Sequence, residues 1–219
     1  MSILTKEKNS DVSVLIGYLV LFYLAWTIKE LWLIEYIYSF GEIISPLLEA
    51  LVKSLIWIVP AWIYIKLYLH SIPISFLKMN VNVKNWLLCG IFLSLLLGAF
   101  LILEAYLFNE VSFHFSLSFD DYLNTLLMAG LAEEIVFRGL ILQELDKRMT
   151  FLKANLITAL LFLVIHYPIW IYNDIIFQSG SHIYVFIIGL LFGFVYKKTG
   201  SLWSVIILHA FHNYILSII

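Results

Sequence analysis

Between Trp86 and Leu103 the chain runs for 18 residues without one charged side chain. A bilayer core about 30 Å thick is crossed by about 20 apolar residues, each adding about 1.5 Å of helix. Inside lipid no water satisfies the backbone, so only helices and closed barrels can span it. The apolar runs here are continuous and long where barrel strands would alternate. The expectation is therefore an all-α, polytopic membrane helix bundle. Composition agrees, with 63% of 219 residues apolar, 13% charged and a mean hydropathy of +0.97, whereas soluble domains carry about 25% charge.

Seven such stretches are expected: Val12 to Trp32, Leu51 to Leu69, Trp86 to Leu103, Tyr122 to Leu145, Ala154 to Tyr172, a span within Ile175 to Tyr196, and Ser201 to Ile219. The first is too long for a signal-peptide core and no small-residue cleavage site follows it, so it is expected to remain in the mature protein. With the N-terminus inside, Lys6, Lys8, Lys66, Lys78, Lys84, Lys147, Arg148, Lys153, Lys197 and Lys198 all fall on the inner side. The outer segments carry Glu35, Glu42, Glu49, Glu110, Asp120, Asp121 and Asp174 and no Lys or Arg. That asymmetry follows the rule that basic residues favour the cytoplasm. Lys66 sits near the inner end of the second span, and Lys29, Lys53 and Arg138 are the other basic residues that lie within spans. The last two spans are separated by only Lys197 to Gly200, which reads as a membrane hairpin turning at Thr199-Gly200. The whole of 1–219 is expected to be one integral membrane domain, without internal repeats.

The same figures exclude other classes. A net charge of -2 leaves no basic surplus for a nucleic-acid backbone. The single cysteine, Cys89, permits neither an intramolecular disulfide nor a Cys-rich metal site and reads as a small buried side chain.

A charge at mid-span costs about 2.5–3.5 kcal/mol on insertion scales, so the polar residues that remain are informative. They concentrate in the C-terminal half. Glu134 and Arg138 stand four apart, in the favourable order for pairing on one helix face. Glu133 is turned about 100° away and is left as an acid without a cation, free for chemistry. His166 ends the apolar run from Phe162. It lies 13 residues from Lys153, and Glu133 lies 14 from Lys147, which puts both about 20 Å from the same face. His209 and Asn213, four apart on the last span, reach the same layer, with His212 a near competitor for that place. A carboxylate withdrawn from bulk water suits abstraction of a proton from a water molecule, and His166 could hold that water. The N–H donors of His209 and Asn213 suit an oxyanion. No nucleophile motif accompanies them, so water activation is preferred over covalent catalysis.

Glu133-Glu134-x-x-x-Arg138, Phe162-x-x-x-His166 and His209-x-x-x-Asn213, in that order on successive spans, resemble the CPBP family of intramembrane proteases. That family includes type II CAAX prenyl endopeptidases and bacterial abortive-infection and bacteriocin self-immunity proteins. The resemblance covers about residues 123 to 219. It implies a helical bundle with a cavity between the motif helices, Glu133 as general base, His166 helping to activate water, and His209 with Asn213 as oxyanion donors. Arg138 and Glu134 would hold the site in shape. It also leaves the cofactor open: Glu133, His166 and His209 could bind Zn²⁺, but the HExxH motif is missing, and a metal-free glutamate mechanism is preferred.

The implied activity is hydrolysis of a peptide bond in a membrane-associated substrate, either prenylated or of the pheromone or bacteriocin type. The partners are then membrane lipid and that peptide or protein, with no nucleic acid, and the setting a bacterial cell membrane. The alternative is a non-catalytic bacteriocin immunity or membrane-binding protein of the same family. A proton-coupled transporter is the weakest reading, because the acids and histidines form one layer and no path across the membrane.

Overall fold

The computed structural model describes residues 12–81, 83–108 and 113–219. Lys6, Lys8 and Glu110, which carry part of the charge asymmetry, lie outside the described residues. Among those described there is no strand. The helices are α1 (Val12–Tyr38), α2 (Gly41–Leu67), the short α3 (Pro73–Phe76), α4 (Val83–Phe108), α5 (121–146), α6 (Phe151–Tyr172), α7 (Ser179–Thr199) and α8 (Leu202–Ile218). Together they make an all-α, polytopic bundle.

Five helices are long and apolar enough to cross a membrane: α1, α2, the Trp86–Leu107 part of α4, α6 and α7. The expected count of seven is therefore not reached on length and apolarity. α5 carries Glu133, Glu134 and Arg138 inside it, and the 17 residues of α8 make a rod of about 26 Å. The bundle is apolar outwards. On α1 the exposed residues Val12, Ile16, Val20, Leu24 and Ile28 repeat every fourth position. On the same helix Lys29 and Glu30 are buried, at 1% and 3% exposure. Such an inverted surface belongs in lipid, and the protein is an integral, multi-pass membrane protein.

Two expected boundaries are corrected. The first span continues to Tyr38 and the second begins at Gly41, so the expected outer loop between Trp32 and Leu51 is a tight turn between two long helices. Glu35 and Glu42 sit on exposed faces near the helix ends. Glu49 points inward, where Lys29 donates to it. A charge that finds a buried partner does not interrupt a helix, which is why charge was a poor marker of the loop. The hairpin between α7 and α8 is present. Gly200 takes φ +64 and its N–H bonds Tyr196 O at 2.8 Å, a left-handed helix end that glycine adopts without a Cβ clash.

The helices alternate in direction, so one end of the bundle gathers residues 38–46, 118–120 and 172–179, and the other gathers residues 67–79, 146–151 and 197–202. Across the core, ring contacts run from α1 to α6: Phe22 to Trp57 at 4.8 Å, Trp57 to Phe137 at 5.9 Å and Phe137 to Phe162 at 5.1 Å. Polar bonds tie the same helices. Tyr23 Oη donates to Leu161 O at 2.6 Å and Trp26 Nε1 to Ile165 O at 3.1 Å. In lipid, where apolar burial gives little drive for association, such packing and hydrogen bonds hold helices together.

Candidate active site

α6 is broken where His166 stands. Pro168 has no N–H to give to the carbonyl four residues back, and the chain passes through a turn at Ile165 and His166 before re-entering a helix at Tyr167. The His166 N–H reaches only three residues back, to Leu163 O at 3.1 Å, and its Nδ1 meets Phe162 O at 2.8 Å. A carbonyl can only accept, so Nδ1 carries the proton and Nε2 of the neutral ring keeps its lone pair. Trp26, bonded to Ile165 O, fixes this break from α1.

The two neighbouring acids of α5 meet different surroundings. Glu134 is fully buried, and its Oε1 accepts from Arg138 Nη1 at 2.9 Å and from His209 Nδ1 at 2.8 Å. Arg138 donates a further bond to Gly189 O at 2.9 Å and lies over the Phe162 ring at 4.5 Å and Phe192 at 5.3 Å. Glu134 thus links α5 to α8, and Arg138 links α5 to α6 and α7. Glu133, 8% exposed, accepts from Lys53 Nζ at 3.1 Å. The expectation that Glu133 lacks a cation is overturned: Lys53 of α2 lies 80 residues away in sequence, and only the packing of α2 on α5 brings the two together. Glu133 is also within electrostatic reach of His166 and His209.

Lys53 belongs to a set that sequence reasoning left unassigned. Its ammonium lies 5.6 Å from the Trp26 ring and 5.4 Å from Trp57. Beside it, Lys29 donates to Glu30 Oε1 at 3.1 Å and to Glu49. The available signal was the pair of lysines within the first two spans, together with Glu49 four residues before Lys53. Each of these charged sets adjoins a stretch of π-type, i→i+5 backbone hydrogen bonding: Lys29–Leu33, Ser54–Ile58 and Ile135–Leu142. Such widened turns are frequent at functional sites.

The competition on α8 resolves into two jobs. His209 and Asn213 face a cavity of about 550 Å³ between α6, α7 and α8, together with His166. His212 lines it too, but both its nitrogens are engaged, Nε2 with Tyr184 Oη at 2.6 Å and Nδ1 with Asn213 Oδ1 at 3.1 Å. Asn213 Nδ2 donates to Thr125 O at 2.9 Å, which uses one of its two N–H groups and leaves the other. His212 therefore orients Asn213. Apart from Ser181 and Tyr184, the remaining walls are apolar, among them Phe162, Trp170, Val185, Ile188 and Leu216. Glu133 lines a second, adjoining cavity of about 170 Å³ with Lys53, Glu30, Glu49 and Trp57. His166 borders both cavities.

The three residues expected to hold Zn²⁺ each have one polar atom engaged, Glu133 Oε1 by Lys53, His166 Nδ1 by a carbonyl and His209 Nδ1 by Glu134, and these bonds do not use Glu133 Oε2 or either Nε2. Among the described residues no three of His, Cys, Asp and Glu are grouped to hold an ion.

Residues 115–215, covering α5 through most of α8, match the family model described as Rce1-like, type II CAAX prenyl endopeptidase Rce1-like. Over this region the chain is similar to that family. The family lies within the CPBP group to which the three motifs are similar, and protease activity is assigned at that level. Helices α1, α2 and α4, and with them Lys29, Glu30, Glu49 and Lys53, lie outside the match. No curated protein and no solved structure matches the chain.

Proposed function

We propose that this protein is an intramembrane endopeptidase that hydrolyses a peptide bond of a membrane-associated substrate, with Glu133, His166, His209 and Asn213 as its catalytic residues. The observation that carries this reading is the position of His166 between the cavity of Glu133 and the groove of His209 and Asn213. Water held by Glu133 and the His166 Nε2 lone pair attacks the carbonyl carbon of a peptide lying in the groove. Glu133 takes the proton from the attacking water and returns it to the departing amine nitrogen, so the products are an acid and an amine. The negative charge on the former carbonyl oxygen is met by the free Asn213 N–H and by His209 Nε2–H. With Nδ1 already donating to Glu134, His209 can donate through Nε2 only as the imidazolium, and the oxyanion itself offsets that charge, since the Glu134 carboxylate already offsets Arg138.

Glu134, Arg138 and Phe162 are assigned the supporting role of fixing His209 and the α6 break. The apolar groove walls favour a substrate with an apolar or lipid-modified flank. The Arg138 and Lys53 charges are both neutralised by acids inside the bundle, which keeps the site compatible with lipid around it. The proposal extends to one membrane unit over the whole chain, oriented with its lysine-rich end inside a bacterial cell.

The test is cleavage of membrane-anchored peptides by the purified protein in liposomes. Glu133→Gln and, separately, His166→Ala should abolish cleavage while thermal unfolding stays cooperative. Normal cleavage by both variants overturns the proposal. Bacteriocin protection that survives Glu133→Gln in cells would point instead to a shielding immunity protein.

A further inference from the structure

We propose that the polar cavities behind Glu133 form one hydrated passage, and that hydrolytic water reaches Glu133 through it rather than through the peptide groove. The water-supply role rests on the hydrolytic reading above. The hydration of the passage stands on its own.

Continuity is given by shared walls. The cavity of about 170 Å³ at Glu133 adjoins one of about 240 Å³, and Glu30, Glu49, Lys53 and Ile169 line both. The second shares Tyr38 and Asp120 with a third, of about 600 Å³, which lies against residues 41–46 and 118–120 at the acidic end of the bundle. Even the smallest is about ten times the 10–15 Å³ that one water requires.

The chemistry of the walls demands water. Trp57 Nε1, Glu30 Oε2, Glu49 Oε2, Asn124 Oδ1 and Ser45 Oγ are all buried, and none has a hydrogen-bond partner in the protein. All five belong to residues lining these three cavities. Leaving a buried polar group unsatisfied costs about 1–3 kcal/mol, more for a charged one, so side-chain rotations that turn these atoms toward waters in the passage are favoured. The walls are pinned across helices by Lys29 between Glu30 and Glu49 and by Asn124 Nδ2 on Pro46 O at 3.0 Å. The peptide groove differs in kind. Its apolar sides suit a substrate chain, and a bound peptide would block the way in when a second reactant is needed. A separate route on the far side of His166 removes that conflict.

The test uses thiol accessibility. The single native cysteine is first removed with Cys89→Ala, and Ser45→Cys or Ala129→Cys is introduced in the passage, with Leu47→Cys on an exposed apolar face of α2 as control. In nanodiscs, where both faces are open, a charged water-soluble thiosulfonate should label the two passage thiols at least about tenfold faster than the control, since only a hydrated thiol forms the reactive thiolate. Labelling Ala129→Cys should then lower kcat for peptide cleavage with KM unchanged. Passage thiols that react no faster than the control overturn the passage. Thiols that label fully without any fall in kcat overturn the water-supply role. If the unlabelled protein cleaves no peptide, the hydrolytic reading fails, and the labelling ratio still decides whether the passage is hydrated.

Discussion

Glu133 and Glu134 are neighbours in sequence and opposites in surroundings. Glu134 is fully buried and held by Arg138 and His209, and Arg138 in turn lies over two phenylalanine rings. Glu133 borders a cavity and has a single bond, to Lys53. The rotation of about 100° between adjacent helical residues is enough to give one acid a purely organising task and the other an accessible oxygen. Placed side by side on α5, they let one helix lock the bundle and, in the proposed mechanism, supply the general base.

Substitutions can break this comparison. The largest effect is expected for Glu133→Gln. Its amide oxygen still accepts from Lys53 but cannot take a proton, so kcat in the liposome cleavage assay should fall by about 10²–10⁴ with little change in thermal unfolding. Arg138→Met should do the reverse. It leaves Glu134 buried with only His209, and loss of one partner of a buried pair costs about 3–5 kcal/mol, measured as a fall in unfolding temperature in detergent. If both variants lost stability equally, the two acids would not have distinct tasks.

Next in size, Asn213→Ala removes an oxyanion donor and should lower kcat by about 10² with the protein still folded. Tyr184→Phe should be milder, because it only frees His212 Nε2. It removes one hydrogen bond of about 0.5–1.5 kcal/mol, and it sharpens the comparison if kcat falls only several-fold while KM holds. At the surface, Lys197→Ala breaks a half-exposed pair with Asp146 at 2.6 Å. Such pairs contribute about 0–1 kcal/mol, so neither cleavage nor unfolding should change measurably.

Much of the C-terminal half was legible in the sequence because its information is local. The i, i+4 spacing of Glu134 and Arg138 predicts a pair that the structure contains, and counting along the helices put Glu133, His166 and His209 in one layer, where they interact electrostatically. The N-terminal half was read less well. Lys29 and Lys53 stood out as charges inside spans, but nothing along α1 or α2 says which acids face them. Glu49 looked like a loop residue because its partner is 20 positions away.

The sequence by itself determined that this chain lives in a bilayer, that it is helical, and which few polar residues are too costly there to be incidental. Those conclusions follow from hydropathy and helical periodicity, which each segment carries alone. Only the tertiary structure decided that Lys53 meets Glu133, that Glu134 joins Arg138 to His209 across 75 residues, that His212 bonds Asn213, and that His166 borders two cavities. Partners across helices depend on how each rod is rotated and where it crosses its neighbours, and that rotation is set by the packing of the whole bundle.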